Sequence, residues 1–149
     1  MTRIIFSLLL FAFVAVGCGR GDRPKDLPKL TPCEFAVQYE DGSPIDQAAV
    51  MMYPVAGKWF ANGKTDSSGN VKVSTQGKYA GAAPGEYNVT VMKQETIYPP
   101  GYDPKDENAP DLVTNDLVDQ EFAIPDKTPL KITVGTTAVK ETLTVRKPK

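Results

Sequence analysis

Histidine is absent from this chain of 149 residues, and that absence excludes whole classes of mechanism. Ser-His-Asp and Cys-His nucleophile activation, HExxH zinc sites and imidazole general bases all need a ring the chain does not have. Carboxylate-only or lysine-based chemistry stays formally open, but no residue pattern argues for it. The expectation is a protein that is not an enzyme and uses no cofactor. Neither charge dominates: 17 Lys and Arg stand against 18 Asp and Glu. So balanced a chain lacks the basic footprint that phosphate neutralisation requires, and nucleic acid is not an expected partner. Cysteine is sparse, with Cys18 and Cys33 only, and tryptophan occurs once, at Trp59. Long apolar runs are missing too, apart from one at the beginning.

That run, residues 4–16, follows Arg3 and leads to Gly17 and Cys18 with no acidic residue in the stretch. As a helix it would span about 20 Å at 1.5 Å per residue, against ~30 Å for a hydrocarbon core. A positive start, a short apolar segment and small residues at its end make a cleaved secretory signal, not a membrane span. Its end, Ala15-Val16-Gly17-Cys18, resembles the bacterial lipobox, with alanine where leucine is usual. That resemblance implies cleavage between Gly17 and Cys18 and acylation of Cys18 with palmitate-type chains. The expected partner is then the membrane, reached through the N-terminal lipid, and the expected location is the cell envelope. Gly19 is not the aspartate that, by resemblance to enteric lipoproteins, retains proteins in the inner membrane, so outer-membrane sorting is expected. Two cysteines in an oxidising compartment also read as a disulfide. A thioether on Cys18 excludes that pairing and leaves Cys33 as an unpaired thiol. It is then a buried small hydrophobe, unless a neighbouring cation makes it reactive.

Residues 18–32 are rich in proline and charge and carry two leucines, which predicts an extended tether holding the domain off the membrane. Arg20-Gly21-Asp22 spells an adhesion tripeptide, a match expected by chance in a charged linker. The division is therefore residues 1–17 as signal, 18–32 as lipidated terminus and tether, and 33–146 as one folded domain.

Within that domain short runs of Val, Thr, Tyr and Phe are punctuated by Gly, Pro, Asp and Asn, the pattern of an all-β protein. Phe35, Val37 and Tyr39 alternate with polar neighbours, and so do Tyr87, Val89 and Val91. Residues 48–53 form a run ended by Pro54, and residues 59–65 and 71–74 flank Asp66-Ser67-Ser68-Gly69-Asn70 as a hairpin. Alternation returns at 117–124, 130–134 and 143–145. Between Met92 and residue 117 the pattern is lost for about twenty-five residues, a length that in compact domains marks a functional or mobile loop. The sum is a seven-stranded antiparallel β-sandwich.

Asp41-Gly42-Ser43-Pro44-Ile45 with Ala48-Ala49-Val50, Gly63-Lys64-Thr65-Asp66 with Gly69, and Ala83-Pro84-Gly85-Glu86-Tyr87 with Val89 and Val91 occur in that order. Together with Thr128-Pro129-Leu130 and Val134, they resemble the carboxypeptidase regulatory-like domains, which have a transthyretin-like sandwich. The small lipoprotein versions found in planctomycete-type bacteria are the nearest in kind. The resemblance covers roughly residues 33–145 and implies a fold, because its motifs are turn chemistry and alternation.

Two sets of residues are candidate sites. Asp103, Asp106, Glu107 and Asp111, followed by Asp116 and Asp119, supply hard oxygen donors suited to calcium, although their spacing departs from the DxDxDG loop. The plainer reading is a solvated acidic loop. Trp59, Tyr79, Tyr98 and Tyr102 fall in or beside loops, where flat rings stack on sugars or peptides; the plainer reading is that they cover the ends of the sandwich. Asn88-Val89-Thr90 spells a glycosylation sequon in the middle of a strand, where it carries no meaning. The functional expectation is a non-catalytic, lipid-anchored envelope module, binding or structural. Its alternative is a carbohydrate- or peptide-binding module, with an envelope protein or glycan as partner.

Overall fold

The structure, a computed structural model, describes residues 23–149. The signal segment, Gly17, Cys18 and the Arg20-Gly21-Asp22 tripeptide lie outside the described residues. The fold is nearly all β, with several sheets and, among the described residues, one short 3-10 turn at Gln120–Ala123. No helix among the described residues is long and apolar enough to cross a membrane.

Among the described residues eleven strands succeed one another: β1 (Cys33–Tyr39), β2 (Ala49–Pro54), β3 (Ala61–Lys64), β4 (Asn70–Lys72), β5 (Ser74–Thr75), β6 (Tyr79–Ala80), β7 (Gly85–Met92), β8 (Gln94–Ile97), β9 (Val113–Asp116), β10 (Lys131–Val134) and β11 (Val139–Val145). One sheet runs β11-β1-β4 and a second runs β10-β7-β2-β3-β5-β6, while β8 and β9 pair apart from both. Period-two alternation builds the two layers. Cys33, Phe35 and Val37 of β1 turn inward with Leu143 and Val145 of β11. They meet Val50 and Met52 of β2, Tyr87, Val89 and Val91 of β7, and Ile132 and Val134 of β10 in one core.

The strand arrangement departs from the sequence expectation in four respects. Eleven short strands stand where seven were expected. The sandwich is not wholly antiparallel, because β1 and β11 pair in parallel from Cys33↔Val139 to Tyr39↔Val145. Residues 59–65 and 71–74 pair only at one end: Asn62 lies opposite Ser74 in the antiparallel β3–β5 pair, whereas β4 crosses to β1 in the other sheet. The loop between them is nonetheless the expected Asx turn, with Asp66 Oδ1 accepting from the Ser68 and Asn70 amides at 2.9 Å. Finally, 117–124 is not a strand. Val118 and Phe122 plug the core from a turn that Asp119 caps by accepting from the Glu121 amide at 3.0 Å.

The register sorts the connections into two ends. Pro54↔Tyr87 and Val134↔Gly85 place residues 55–60 and 135–138 where β7 begins, and Ala61↔Thr75 places the 76–78 turn beside them. The N-terminal segment joins the same end, hereafter the tether end. Thr31 exchanges both backbone hydrogen bonds with Ala82 at 2.9 Å, and its hydroxyl donates to the Gly135 carbonyl. Leu27 is 7% exposed, Arg23 donates to the Pro28 carbonyl at 2.8 Å, and Asp26 pairs with Lys58. The stretch from Pro24 to Pro32 is thus fastened to the domain and is not free tether, because one buried leucine and a β-bridge offset the cost of ordering it. The 40–43 turn, the 66–69 loop and the β8–β9 hairpin occupy the opposite, distal end.

Gly81 permits this fastening. It has φ +95°, and a Cβ there would sit 2.4 Å from the Thr31 carbonyl oxygen. Gly81→Ala is expected to cost at least about 1–3 kcal/mol in backbone strain alone. It also pushes Thr31 off its bridge, so trypsin should cut after Lys25 and Lys29 several-fold faster. An unchanged cleavage rate contradicts the fastened segment.

Candidate functional site

The four candidate aromatics do not form one platform. Trp59, half-buried, lies in the 55–60 connection, and Tyr79, also half-buried, on β6, both at the tether end. Lys58 stands 4.9 Å from the Trp59 ring centre and Lys78 5.4 Å from that of Tyr79, both within cation–π range. Tyr98 and Tyr102 are at the other end, just past β8. Tyr98 is 63% exposed and its ring centre lies 5.5 Å from that of Tyr102, with the planes tilted by 59°.

The β8–β9 hairpin carries this pair beyond the end of β7. Its base is closed by the Leu117 amide donating to the Lys93 carbonyl at 2.8 Å. Ile97 pairs across the hairpin with Val113, and both are exposed together with Leu112. This apolar cluster beside Tyr98 was not foreseen from the sequence. Only the β-branched character of Ile97 and Val113 hinted at it, since the surrounding prolines and acids masked any alternation.

The carboxylates offered for calcium are not gathered into one donor set among the described residues. Asp103 Oδ1 accepts from the Lys105 amide and Asp106 Oδ1 from the Asn108 amide, each at 2.9 Å, so both carboxylates close local turns. Glu107 and Asp111 are exposed, Asp116 accepts from Gln94 at 2.8 Å, and Asp119 faces Arg146. Among the described residues no group of three or more His, Cys, Asp and Glu is placed to hold a metal ion.

Cys33 is buried, and its thiol donates to the Thr31 carbonyl at 3.3 Å. Burial pushes its pKa up, which disfavours the thiolate needed for nucleophilic or redox work. It packs as a small hydrophobe.

A charged cluster closes the distal end. The Arg146 Nε lies 3.1 Å from Asp119, its Nη2 pairs with Glu121, and its guanidinium carbon is 5.4 Å from the Phe122 ring centre. The Glu121 amide, and then Arg146, hold the Asp119 carboxyl below its usual range. Because the folded pKa is the lower one, this stabilisation is present above the unfolded value near ~3.9 and is lost as pH falls through the folded value. Arg146→Gln should therefore lower the melting temperature at pH 7, and the gap to the unaltered protein should narrow as the pH falls through the lowered Asp119 value. A gap that stays constant from neutral to acid pH contradicts the role of the pair.

The grooves are shallow. One of about 240 Å³ at the tether end is lined by Pro32, Cys33, Val73, Gly81 and Val139. Another of about 220 Å³ lies at the hairpin base, lined by Met92, Lys93, Asp116, Val118 and Ile124. The first also has Glu34, Lys72 and Lys140 in its lining.

No protein-family model matches the chain, and no curated protein sequence matches it. Among solved structures, a 9R-lipoxygenase from Cyanothece aligns over 87% of this chain at 13% identity, with a TM-score of 0.42. The chain spans 19% of that protein's length. So weak a likeness says nothing about activity.

Proposed function

We propose that the protein is a non-catalytic β-sandwich anchored by lipid in the cell envelope, on the outer membrane, where it serves as a binding or structural module. The Ala15-Val16-Gly17-Cys18 lipobox carries this reading. The missing histidine supports the non-catalytic part. The specific fold proposed is the transthyretin-like sandwich of carboxypeptidase regulatory-like domains. It is supported by the turn motifs at Asp41–Ile45 and Ala83–Tyr87 and by two sheets sharing one core. Growth with an alkyne-bearing palmitate analogue tests the anchor. The chain should take up the label, and an unlabelled chain in labelled cells contradicts the proposal.

A second reading, recognition of an envelope peptide or glycan, is favoured by one observation: exposed Tyr98, with half-buried Tyr102 against it, sits in the connection that leaves β8. Because Trp59 lies at the other end, the two aromatic sites are separable. Pull-down on cell-wall glycans and peptides should show Tyr102→Ala losing roughly tenfold or more, in keeping with ~1.4 kcal/mol or more from a stacked ring. Trp59→Ala should bind as before. Equal binding by both variants and the unaltered chain removes this reading.

A further inference from the structure

The tether and the positions of charge and apolar surface on the sandwich bear on how the domain sits on its membrane. Only about six residues separate Cys18 from Pro24, where the fastened segment begins, and fully stretched they span about 20 Å. The lipid therefore leads to one end of the sandwich, and the bridge between Thr31 and Ala82 stops that end from swinging away.

That end has the chemistry of an interface. Val55 is 59% exposed, and Phe60, in the same connection, is exposed as well. Trp59 stands between them in the sequence connection, with an apolar ring and one polar edge, the side-chain type enriched at bilayer surfaces. Around these lie Arg23, Lys25, Lys29, Lys58 and Lys78, all exposed, against Asp26 and Glu86. Asp26 and Lys58 pair with each other and cancel, so the positive balance comes from Arg23, Lys25, Lys29 and Lys78 set against Glu86. The distal end is opposite in sign, because Asp41, Asp66, Glu95, Asp103, Asp106 and Glu107, exposed there, outnumber the exposed Lys64, Lys105, Lys147 and Lys149. A chain near neutrality overall is thus charged oppositely at its two ends, and a negative surface orients such an object.

Resting on the lipid-anchored reading, we propose that the tether end, with Val55, Trp59, Phe60 and the basic side chains around them, lies against the anionic headgroups of the anchoring membrane. The domain is then held by two signals, acyl chains and a basic, partly apolar face, which together give a more durable attachment than either alone. The β8–β9 hairpin with Tyr98 and Tyr102 points away from the bilayer, toward whatever the module meets.

Trp59 is the one tryptophan of the chain and reports on this face directly. The full-length protein is extracted from membranes, its Cys18 acylation is verified by mass, and it is placed in phosphatidylglycerol vesicles whose acyl chains carry bromine near the headgroup. Trp59 emission should fall at least twofold relative to unbrominated vesicles. A Trp59→Phe, Tyr98→Trp variant, which moves the reporter to the distal end, should show no loss. Lys25→Glu with Lys29→Glu should weaken the quenching in a protein that still sediments with the vesicles. If an acylated protein shows Trp59 quenched no more than the distal reporter, the anchor stands and the orientation is overturned. The same holds if Trp59 is shielded from aqueous iodide without being quenched by bromine, which would mean that protein covers this face. An unmodified Cys18 overturns the lipid-anchored reading, and the orientation falls with it.

Discussion

Tyr87→Ala is expected to remove about 3–5 kcal/mol of stability, the range for deleting a fully buried large aromatic. Tyr87 lies on β7, between β10 and β2, and heads the wholly buried side chains in size. Its ring fills the space between the sheets, and its hydroxyl donates to the Ala83 carbonyl at 2.8 Å, with the Trp59 carbonyl at 3.3 Å. Burial raises the phenol's pKa, so it stays a neutral donor at any ordinary pH. Domains of this size hold about 5–15 kcal/mol in all, so the alanine variant should be substantially unfolded at 37 °C. Tyr87→Phe keeps the volume and forfeits the hydrogen bonds, a loss of about 0.5–1.5 kcal/mol. Urea unfolding followed through Trp59 separates the two. An alanine variant no less stable than the phenylalanine one would show that Tyr87 does not hold the sheets together.

Cys18→Ser should move the protein from the membrane fraction to the soluble fraction of the envelope. Acyl chains contribute about 0.8 kcal/mol per buried CH₂, so losing them removes nearly all of the affinity that keeps the chain on the bilayer. What remains is the basic tether end, whose attraction is screened over a Debye length of ~10 Å at 0.1 M salt. The variant should therefore be released by a salt wash that leaves the unaltered protein in the pellet. The substitution lies in the stretch read as tether, so the melting temperature, once residues 1–17 are removed, should match that of the cleaved, unaltered chain. Retention at high salt of a Cys18→Ser chain from which residues 1–17 have been removed contradicts an acyl anchor.

What could be foreseen from the sequence follows from the range of the interactions involved. Strands β1 and β7 were legible because Phe35, Val37, Tyr87, Val89 and Val91 alternate with polar residues, and alternation is local. The Asp66–Asn70 turn was legible for the same reason. The parallel pairing of β1 with β11 was not, since it joins residues about a hundred apart in the chain and no local pattern encodes a partner. Residues 117–124 misled because Val118 and Phe122 are apolar at a spacing that a strand and a tight helical turn both tolerate. Leu27 was hidden among prolines and charges, and only the surface beneath it makes it a core residue. As for the candidate sites, their residue types were visible but their placement was not. The sequence grouped four aromatics that the fold divides between two ends, and it grouped carboxylates that the fold spends on turns and on Arg146.

The lipid anchor is the claim on which the location, the orientation and the free thiol of Cys33 all depend. Intact mass analysis of the protein extracted from bacterial membranes tests it most directly. The proposal predicts a chain beginning at Cys18, with residues 1–17 gone and added mass of glyceride and acyl chains on that cysteine. A chain that begins at Met1, or one whose Cys18 carries no lipid, contradicts it.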